Sequence, residues 1–154
     1  MTSLNHIEVS DCVYFITAVT EDRKPWLTGA EDASIVLNAL YFLRDRGDFK
    51  LYSFVIMPDH IHFLAWSAGK KTIASIMHSL KSFTAKAINK RNKRSGKIWQ
   101  DNYYEHAVRN KADFDEKLNY IHRNPLEAGT VGRVEDYIFS SAHFADQTDP
   151  YPYW

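Results

Sequence analysis

Hydrophobic residues occur in four short runs of the kind that form β-strands. Residues 13–19, 50–57, 60–66 and 103–109 are rich in β-branched and aromatic side chains, which favour extended backbone and pack well on a pleated surface. The second and third runs are separated only by the turn dipeptide 58–59, which is Pro-Asp. A connection this short predicts an antiparallel hairpin.

Three further segments repeat apolar residues at the spacing of an amphipathic helix. The first covers Asp32–Arg46 and is followed by Gly47, which favours a helix end. The second begins at Thr72, a residue type that caps helix N-termini. The third runs from about Asn110 to Arg123. We expect Pro125 to stop it, because the residue before a proline disfavours helical backbone.

These elements follow one another in the order β-α-β-β-α-β, and a further helix comes last. This is the order of the ferredoxin-like split βαβ fold. We therefore predict an α+β protein with one antiparallel sheet and an additional C-terminal helix. The length of 154 residues suits one domain of ordinary size, so we expect residues 1–154 to form a single domain.

Composition indicates a globular protein of a reducing compartment. Hydrophobic residues make up 45% of the chain and charged residues 25%, as in ordinary folded domains. Cys12 is the only cysteine, so no disulfide can form within the chain. No apolar run approaches the roughly 18 residues that span a membrane, and the N-terminus lacks the features of a signal peptide. We expect a cytoplasmic protein with no membrane association.

The net charge of zero conceals a basic middle region. Residues 1–59 hold five Lys or Arg against nine Asp or Glu, residues 60–124 thirteen against five, and residues 125–154 one against five. From His60 to Gln100 there are nine basic residues and no acidic one. Such a stretch is typical of a surface that binds a polyanion, most commonly nucleic acid. The predicted DNA-binding residues are Lys81, Lys86, Lys90, Arg91, Lys93, Arg94, Lys97, Arg109 and Arg123.

Aromatic residues follow the basic region directly. Trp99, Tyr103 and Tyr104 could stack on unpaired bases, since every base offers a flat face to an aromatic ring. Packing in the core is the alternative role, and we expect it for at least one of the three.

His60 and His62 stand one residue apart in a run that otherwise predicts a buried strand. Side chains two apart on a strand share a face, with Cα atoms roughly 6.5 Å apart. Both imidazoles can then reach one metal ion, while Ile61 between them points into the core. The alternative is a pair of half-buried histidines that bond to backbone or water. A third ligand and a nucleophile elsewhere would favour the metal site.

Tyr120 and Asn124 supply such a pair of groups in the last predicted helix. Residues four apart lie on one face of a helix, and an amide oxygen is a hard ligand that suits Mg²⁺ or Mn²⁺. The phenol of Tyr120 would then lie one turn from the metal, free to attack. By themselves, these residues are better explained as a core aromatic and a helix-ending amide before Pro125.

Four sequence blocks, taken in order, resemble the single-tyrosine HUH transposases, and among these the REP-associated tyrosine transposases. The blocks are MPDHIHFLAW, GKIWQDNYYEHAVRN, YIHRNPLEAGTV and YIFSSA, and the resemblance covers roughly residues 13–143. It implies a ferredoxin-like fold, single-stranded DNA as the partner, and Mg²⁺ or Mn²⁺ as the cofactor. By the same resemblance His60 and His62 are metal ligands, Asn124 is the third ligand and Tyr120 is the catalytic nucleophile.

The resemblance also implies a reaction. Tyr120 would cleave DNA, at hairpin-bearing repeats, through a covalent 5′-phosphotyrosine, and the free 3′-OH could rejoin a strand. A phenol has a reference pKa of about 10, so it needs a proton acceptor at neutral pH, and the sequence does not single one out. Asp59 stands where many relatives carry Asn, a change at a surface turn that we expect to be tolerated.

Two other functions are compatible with the same residues. A single-stranded nucleic-acid-binding module without catalysis would bind independently of metal and of Tyr120. A metal-dependent nuclease that uses water would need His60 and His62 but not Tyr120. The sequence allows a monomer or a homodimer, with active sites that could be shared between subunits.

Overall fold

The computed structural model describes residues 12–67, 71–144 and 147–150. In these ranges no helix is both long enough and apolar enough to cross a membrane. The predicted α+β class and element order are confirmed, and the strand predicted over 103–109 is two residues shorter. In chain order the elements are β1 (Val13–Val19), α1 (Ala30–Asp45), β2 (Lys50–Met57), β3 (His60–Trp66), α2 (Ile73–Asn92), β4 (Tyr104–Val108) and α3 (Lys111–Glu127).

The four strands form one antiparallel sheet in the order β2-β3-β1-β4. β3 lies between β1 and β2, and β1 lies between β3 and β4, which is the split βαβ arrangement. β2 and β3 are joined by the predicted hairpin at residues 58–59. Val19 faces His60 across the pair β1–β3, and Thr17 faces His62. The register therefore places both histidines against the second half of β1.

The two faces of the sheet carry different helices. α1 and α2 cover one face, where Ile16, Phe54, Ile61 and Phe63 are buried with apolar residues of both helices. α3 covers the other face over a smaller cluster. Because side chains alternate along a strand, the residues of β3 on either side of Ile61 belong to the face that α3 covers.

α3 extends past the position where the sequence predicts its end. The prediction that Pro125 stops the helix is wrong: the helix continues to Glu127, with Pro125 inside it and buried. Pro125 lies in the last turn and has no N–H to donate to the carbonyl of Ile121. The backbone N–H of Ala128 still bonds to the carbonyl of Asn124 at 3.0 Å. Asn124 consequently keeps helical geometry, one turn from Tyr120.

The segment after α3 covers the outer edge of β2. Ile56 N–H donates to Phe139 O, and Ser141 N–H donates to Phe54 O. The hydroxyl of Tyr137 donates to the Ile56 carbonyl at 2.6 Å. These bonds satisfy backbone groups that an edge strand would otherwise present to solvent or to another chain.

Trp99 is a core residue and not a base-stacking platform, which corrects one of the roles considered for it. Its side chain is buried, and its indole N–H donates to Thr84 Oγ1 at 2.9 Å. The Thr84 hydroxyl in turn donates to the carbonyl of Leu80 at 2.7 Å. Thr84 is itself completely buried, so this hydrogen bond fixes the loop before β4 against α2.

We predict that Thr84→Val destabilises the protein while leaving the backbone unchanged. Valine has the shape of threonine but cannot accept the indole N–H, and a buried unsatisfied donor costs about 1–3 kcal/mol. Urea unfolding followed by circular dichroism measures this loss. Ser75→Ala removes a hydroxyl from an exposed position of the same helix, and should change the free energy of unfolding by less than about 0.5 kcal/mol. Equal stability of the two variants would contradict the prediction.

Candidate active site

The sheet presents His60 and His62 to the helix that carries Tyr120. Ile61 is completely buried on the α1–α2 side, so both histidines lie on the α3 side. Their ring centroids are 4.8 Å apart. His62 is 6% exposed, whereas His60 is only partly buried. The alternation expected from the sequence therefore holds at this strand.

α3 brings Tyr120 and Asn124 over the two imidazoles. Ile121, completely buried in the cluster beneath the helix, anchors α3 on the sheet. Asn124 Oδ1 lies 3.3 Å from His60 Nε2. The rings of Tyr120 and His62 meet edge to face, with centroids 5.2 Å apart. The structure thus gathers all four residues singled out in the sequence.

Each imidazole is held through its Nδ1 atom. His60 Nδ1 lies 2.7 Å from Asp59 Oδ1, and His62 Nδ1 lies 2.7 Å from Thr17 Oγ1. Because a carboxylate can only accept, His60 Nδ1 is the donor, and the neutral ring keeps a lone pair on Nε2. Arg23 Nε donates to the other oxygen of Asp59 at 3.2 Å. Contacts of this kind orient imidazoles that bind metal ions.

Asp59 was missed by sequence reasoning. Its side chain is 28% exposed and bonds to both His60 and Arg23, a role that the turn position did not indicate, and the expectation that aspartate is tolerated here in place of asparagine stays a prediction. Partial burial acts to raise the pKa of Asp59, but the hydrogen bonds and charges of those two neighbours outweigh it and hold the pKa below its usual value. The available signal was an acidic residue directly before the first histidine.

His62 is neutral over the physiological range of pH. Burial, and secondarily the charge of His60 when protonated, lower the pKa of His62 to about 3. A neutral imidazole keeps a nitrogen lone pair, which is the form that binds a metal ion. Within the described ranges no residue hydrogen-bonds Nε2 of His62, so this atom is the one left for a ligand.

The donor set at this point fits a divalent cation. His60 Nε2 and Asn124 Oδ1 lie 3.3 Å apart, and a neutral imidazole nitrogen and an amide oxygen are both ligand types for a divalent cation. Among the described residues no cluster of three or more His, Cys, Asp or Glu side chains is placed to hold a metal. The Asn124 amide oxygen is a further oxygen donor within reach of His60.

Several of the predicted DNA-binding residues already have partners, which corrects the picture of an unopposed basic stretch. Arg91 pairs with Glu31 and Asp32 at the start of α1. Lys97 pairs with Glu21 and Asp101. Acidic residues from outside the stretch thus neutralise part of it, which the linear charge count could not show.

Two further basic residues of the set have structural contacts. Lys81 Nζ donates to three backbone carbonyls of residues 100–102, at 2.6, 3.3 and 3.0 Å. Arg94 stacks over the ring of Trp26, with 4.2 Å from its guanidinium carbon to the ring centroid. Both residues hold loops in place.

The remaining basic candidates are exposed. Lys86, Lys90 and Lys93 make no ion pair with any residue in the described ranges, and neither does Arg109 after β4. Arg123 pairs with Glu127 one turn along α3, at 3.5 Å. The three lysines lie on and after α2, on the opposite side of the sheet from Tyr120.

The other two aromatic candidates point to opposite sides of the sheet. Tyr103 packs against the α1–α2 core and lies under the Lys81 ammonium, 5.7 Å from its ring centroid. Tyr104 is 56% exposed and meets Phe15 of the α3 face edge to face. Of the three aromatic residues, only Tyr104 is exposed beside Tyr120.

Comparison with known proteins agrees with this arrangement. The family model described as Transposase IS200 like matches residues 8–124. A REP-associated tyrosine transposase of Escherichia coli (strain K12) is 27% identical over 145 residues, which cover 93% of this chain and 84% of that protein. A relative from Haemophilus influenzae is 29% identical over 151 residues, with 91% and 85% covered. The solved structure of a REP-associated tyrosine transposase bound to a REP hairpin superposes with a TM-score of 0.79 at 25% identity, covering 97% of this chain and 89% of that one.

These matches, together with the split βαβ sheet and the two histidines that face a tyrosine-bearing helix, place the chain among the tyrosine transposases, a class of enzymes that cleave and join DNA strands. The family match extends over most of the sequence and includes all four gathered residues. The chain belongs to the IS200-like transposase family.

We predict that stability falls on acidification because of His62. An unfolded histidine has a pKa of about 6.5, above the value of about 3 in the folded chain, so the unfolded state binds more protons below pH 6.5. Moving from pH 7.5 to 5.5 should then cost about 1 kcal/mol through this residue. Urea unfolding in EDTA at both pH values measures the loss, which should shrink by that amount in His62→Gln. An identical loss in both proteins would contradict the assignment.

Proposed function

We propose that this protein is a metal-dependent transesterase that cleaves and rejoins single-stranded DNA at hairpin-bearing repeats through Tyr120. The observation that carries the proposal is the position of this phenol: its ring contacts His62 and lies one helical turn from Asn124. In the part of the chain that the structure describes, its hydroxyl makes no hydrogen bond, and the residue is 47% exposed. The solved relative bound to a REP hairpin supports DNA of this type as the substrate.

The reaction exchanges one phosphate ester for another. The Tyr120 oxygen attacks the scissile phosphorus, the bond to the 3′ oxygen breaks, and the 5′ phosphate becomes attached to the tyrosine. The phenolic proton passes to solvent, and the released 3′ oxygen takes up a proton. Because one phosphodiester replaces another, a 3′-OH can reverse the step and join a strand, which hydrolysis would not allow.

The residues proposed to hold Mg²⁺ or Mn²⁺ are His60 and His62 through Nε2, and Asn124 through Oδ1. When bound, a divalent ion would act as a Lewis acid that orients and polarises the scissile phosphate. All three ligands are uncharged, so nearly the whole charge of the ion remains available to the phosphate. Asp59 and Thr17 contribute by keeping the two imidazoles turned toward α3.

We also propose that Lys86, Lys90 and Lys93 bind phosphates of the substrate remote from the scissile bond. They are exposed and without ion-pair partners among the described residues, and they lie across the sheet from Tyr120. Their contribution would be electrostatic and independent of sequence.

The sharpest test of the reaction is Tyr120→Phe, which removes only the hydroxyl. With Mn²⁺ and labelled single-stranded DNA containing a hairpin, the unmodified protein should form an adduct that survives boiling in SDS. Tyr120→Phe should form none, yet still bind the DNA and unfold within about 1 kcal/mol of the unmodified protein. EDTA should also abolish the adduct, as should His60→Ala.

Tyr104→Phe is the matched control, since it removes a hydroxyl from another exposed tyrosine on the same face of the sheet. It should form the adduct normally. Cleavage by Tyr120→Phe would favour a nuclease that uses water. Binding without cleavage by the unmodified protein, in Mg²⁺ and in Mn²⁺, would favour a binding module.

The lysine contribution is tested by the salt dependence of DNA binding. Replacing Lys86, Lys90 and Lys93 with Gln should reduce the slope of log K against log salt by about 2, since each phosphate neutralised on a single strand contributes about 0.7. Replacing Arg91, Arg94 and Lys97 should reduce it less, because these side chains already contact acidic or aromatic partners. Fluorescence anisotropy at several salt concentrations gives the slopes. Equal slopes for the two triple variants would refute the distinction.

A further inference from the structure

An aromatic cleft opens beside Tyr120 on the side away from Asn124. Its volume is about 460 Å³. None of the contacts proposed for the metal or the scissile phosphate uses Tyr104, Glu116 or Lys117, which stand at its border. Its lining consists of Phe15, Thr17, His62, Tyr104, Glu116, Lys117 and Tyr120.

Three aromatic rings give the cleft its shape. Phe15 is only 5% exposed and forms the floor, stacked on His62 with centroids 5.3 Å apart and an angle of 19° between the planes. Tyr104 and Tyr120 stand edge-on to Phe15, at 6.3 and 5.9 Å. Both tyrosines are about half exposed, at 56% and 47%. Two exposed aromatic rings on one apolar floor form a surface suited to a flat ligand.

The charges around the cleft favour a neutral ligand over a phosphate. Lys117 Nζ lies 3.0 Å from Asp113 Oδ1 and 2.8 Å from Glu116 Oε1. The other Asp113 oxygen is 2.7 Å from His106 Nε2. The ammonium group is therefore already neutralised by two carboxylates, and it offers little net positive charge to an anion.

We propose that this cleft binds an unpaired nucleobase of the nucleotide next to the scissile phosphate, with the base stacked on Tyr104. The inference rests on the proposed function, because a phosphate within reach of the Tyr120 hydroxyl places its neighbouring base beside that ring. Stacking on Tyr104 would fix the strand relative to the attacking oxygen. Tyr104 is thus a positioning residue that binds substrate without taking part in the bond exchange.

The test uses hairpin-bearing single strands in which 2-aminopurine replaces each base around the break in turn. Tyr120→Phe protein keeps the DNA uncleaved during the measurement. Fluorescence should be quenched at one position beside the break. Adding Tyr104→Ala should remove that quenching and weaken binding roughly ten-fold, as expected for one lost stacking contact. Adding Tyr104→Phe, which keeps the ring, should preserve both.

Phe83→Ala is the matched control, because Phe83 is an equally exposed aromatic residue, at 59%, on the opposite face of the sheet. It should change neither quenching nor affinity. A second measurement changes the DNA: an abasic nucleotide at the quenched position should weaken binding by the same factor. In the Tyr104→Ala protein, the abasic nucleotide should weaken binding no further, because the same contact is already lost.

The inference is overturned if no position is quenched, or if Tyr104→Ala and the abasic strand bind as tightly as their parents. These results are separable from failure of the proposed function. A cleaving enzyme with unchanged binding after Tyr104→Ala would refute the base site alone. Position-specific quenching without any covalent adduct would support the base site while refuting the transesterase.

Discussion

The side-chain alternation of β3 is the constraint on which the rest of the site depends. One strand has to bury Ile61 and Phe63 on the α1–α2 face and present His60 and His62 on the other. Pairing with β1 and β2 along its whole length holds this register. A slip of one residue would exchange the faces, placing two imidazoles in an apolar core and two apolar side chains in the site. The register that buries the apolar side chains of β3 is therefore the same register that places the two histidines in the site.

The second requirement is the placement of α3 across that strand. Phe114 and Ile121 are buried and pack the helix against the sheet. This packing fixes the positions of Tyr120 and Asn124 above the imidazoles. Because Pro125 lies within the helix, one backbone hydrogen bond is missing, but Asn124 stays one helical turn from Tyr120. The proposed attacking oxygen and the proposed metal ligands are consequently positioned by the same two packed elements, β3 and α3.

Local sequence patterns predict the elements and which residues share a face. They do not predict the contacts between segments that are distant in the sequence. Strand alternation places His60 and His62 on one face, and helical spacing does the same for Tyr120 and Asn124, because each relation lies within one element. By contrast, Arg91 meets acidic groups about sixty residues away in the sequence, which a count of charges along the chain cannot reveal. The burial of Trp99 and the helical state of Pro125 likewise follow from tertiary packing, which overrides the local preference.

The covered edge of β2 has a consequence for assembly. Bonds from Phe139, Ser141 and Asp149 of the same chain occupy backbone groups along this strand, so a second copy cannot extend the sheet there. The other border of the sheet is β4, a strand of only five residues that carries Tyr104. Any association that continues the sheet from one copy to the next must therefore use the outer edge of β4, which lies beside Tyr120. Such a pairing would couple the quaternary state directly to access by the DNA strand.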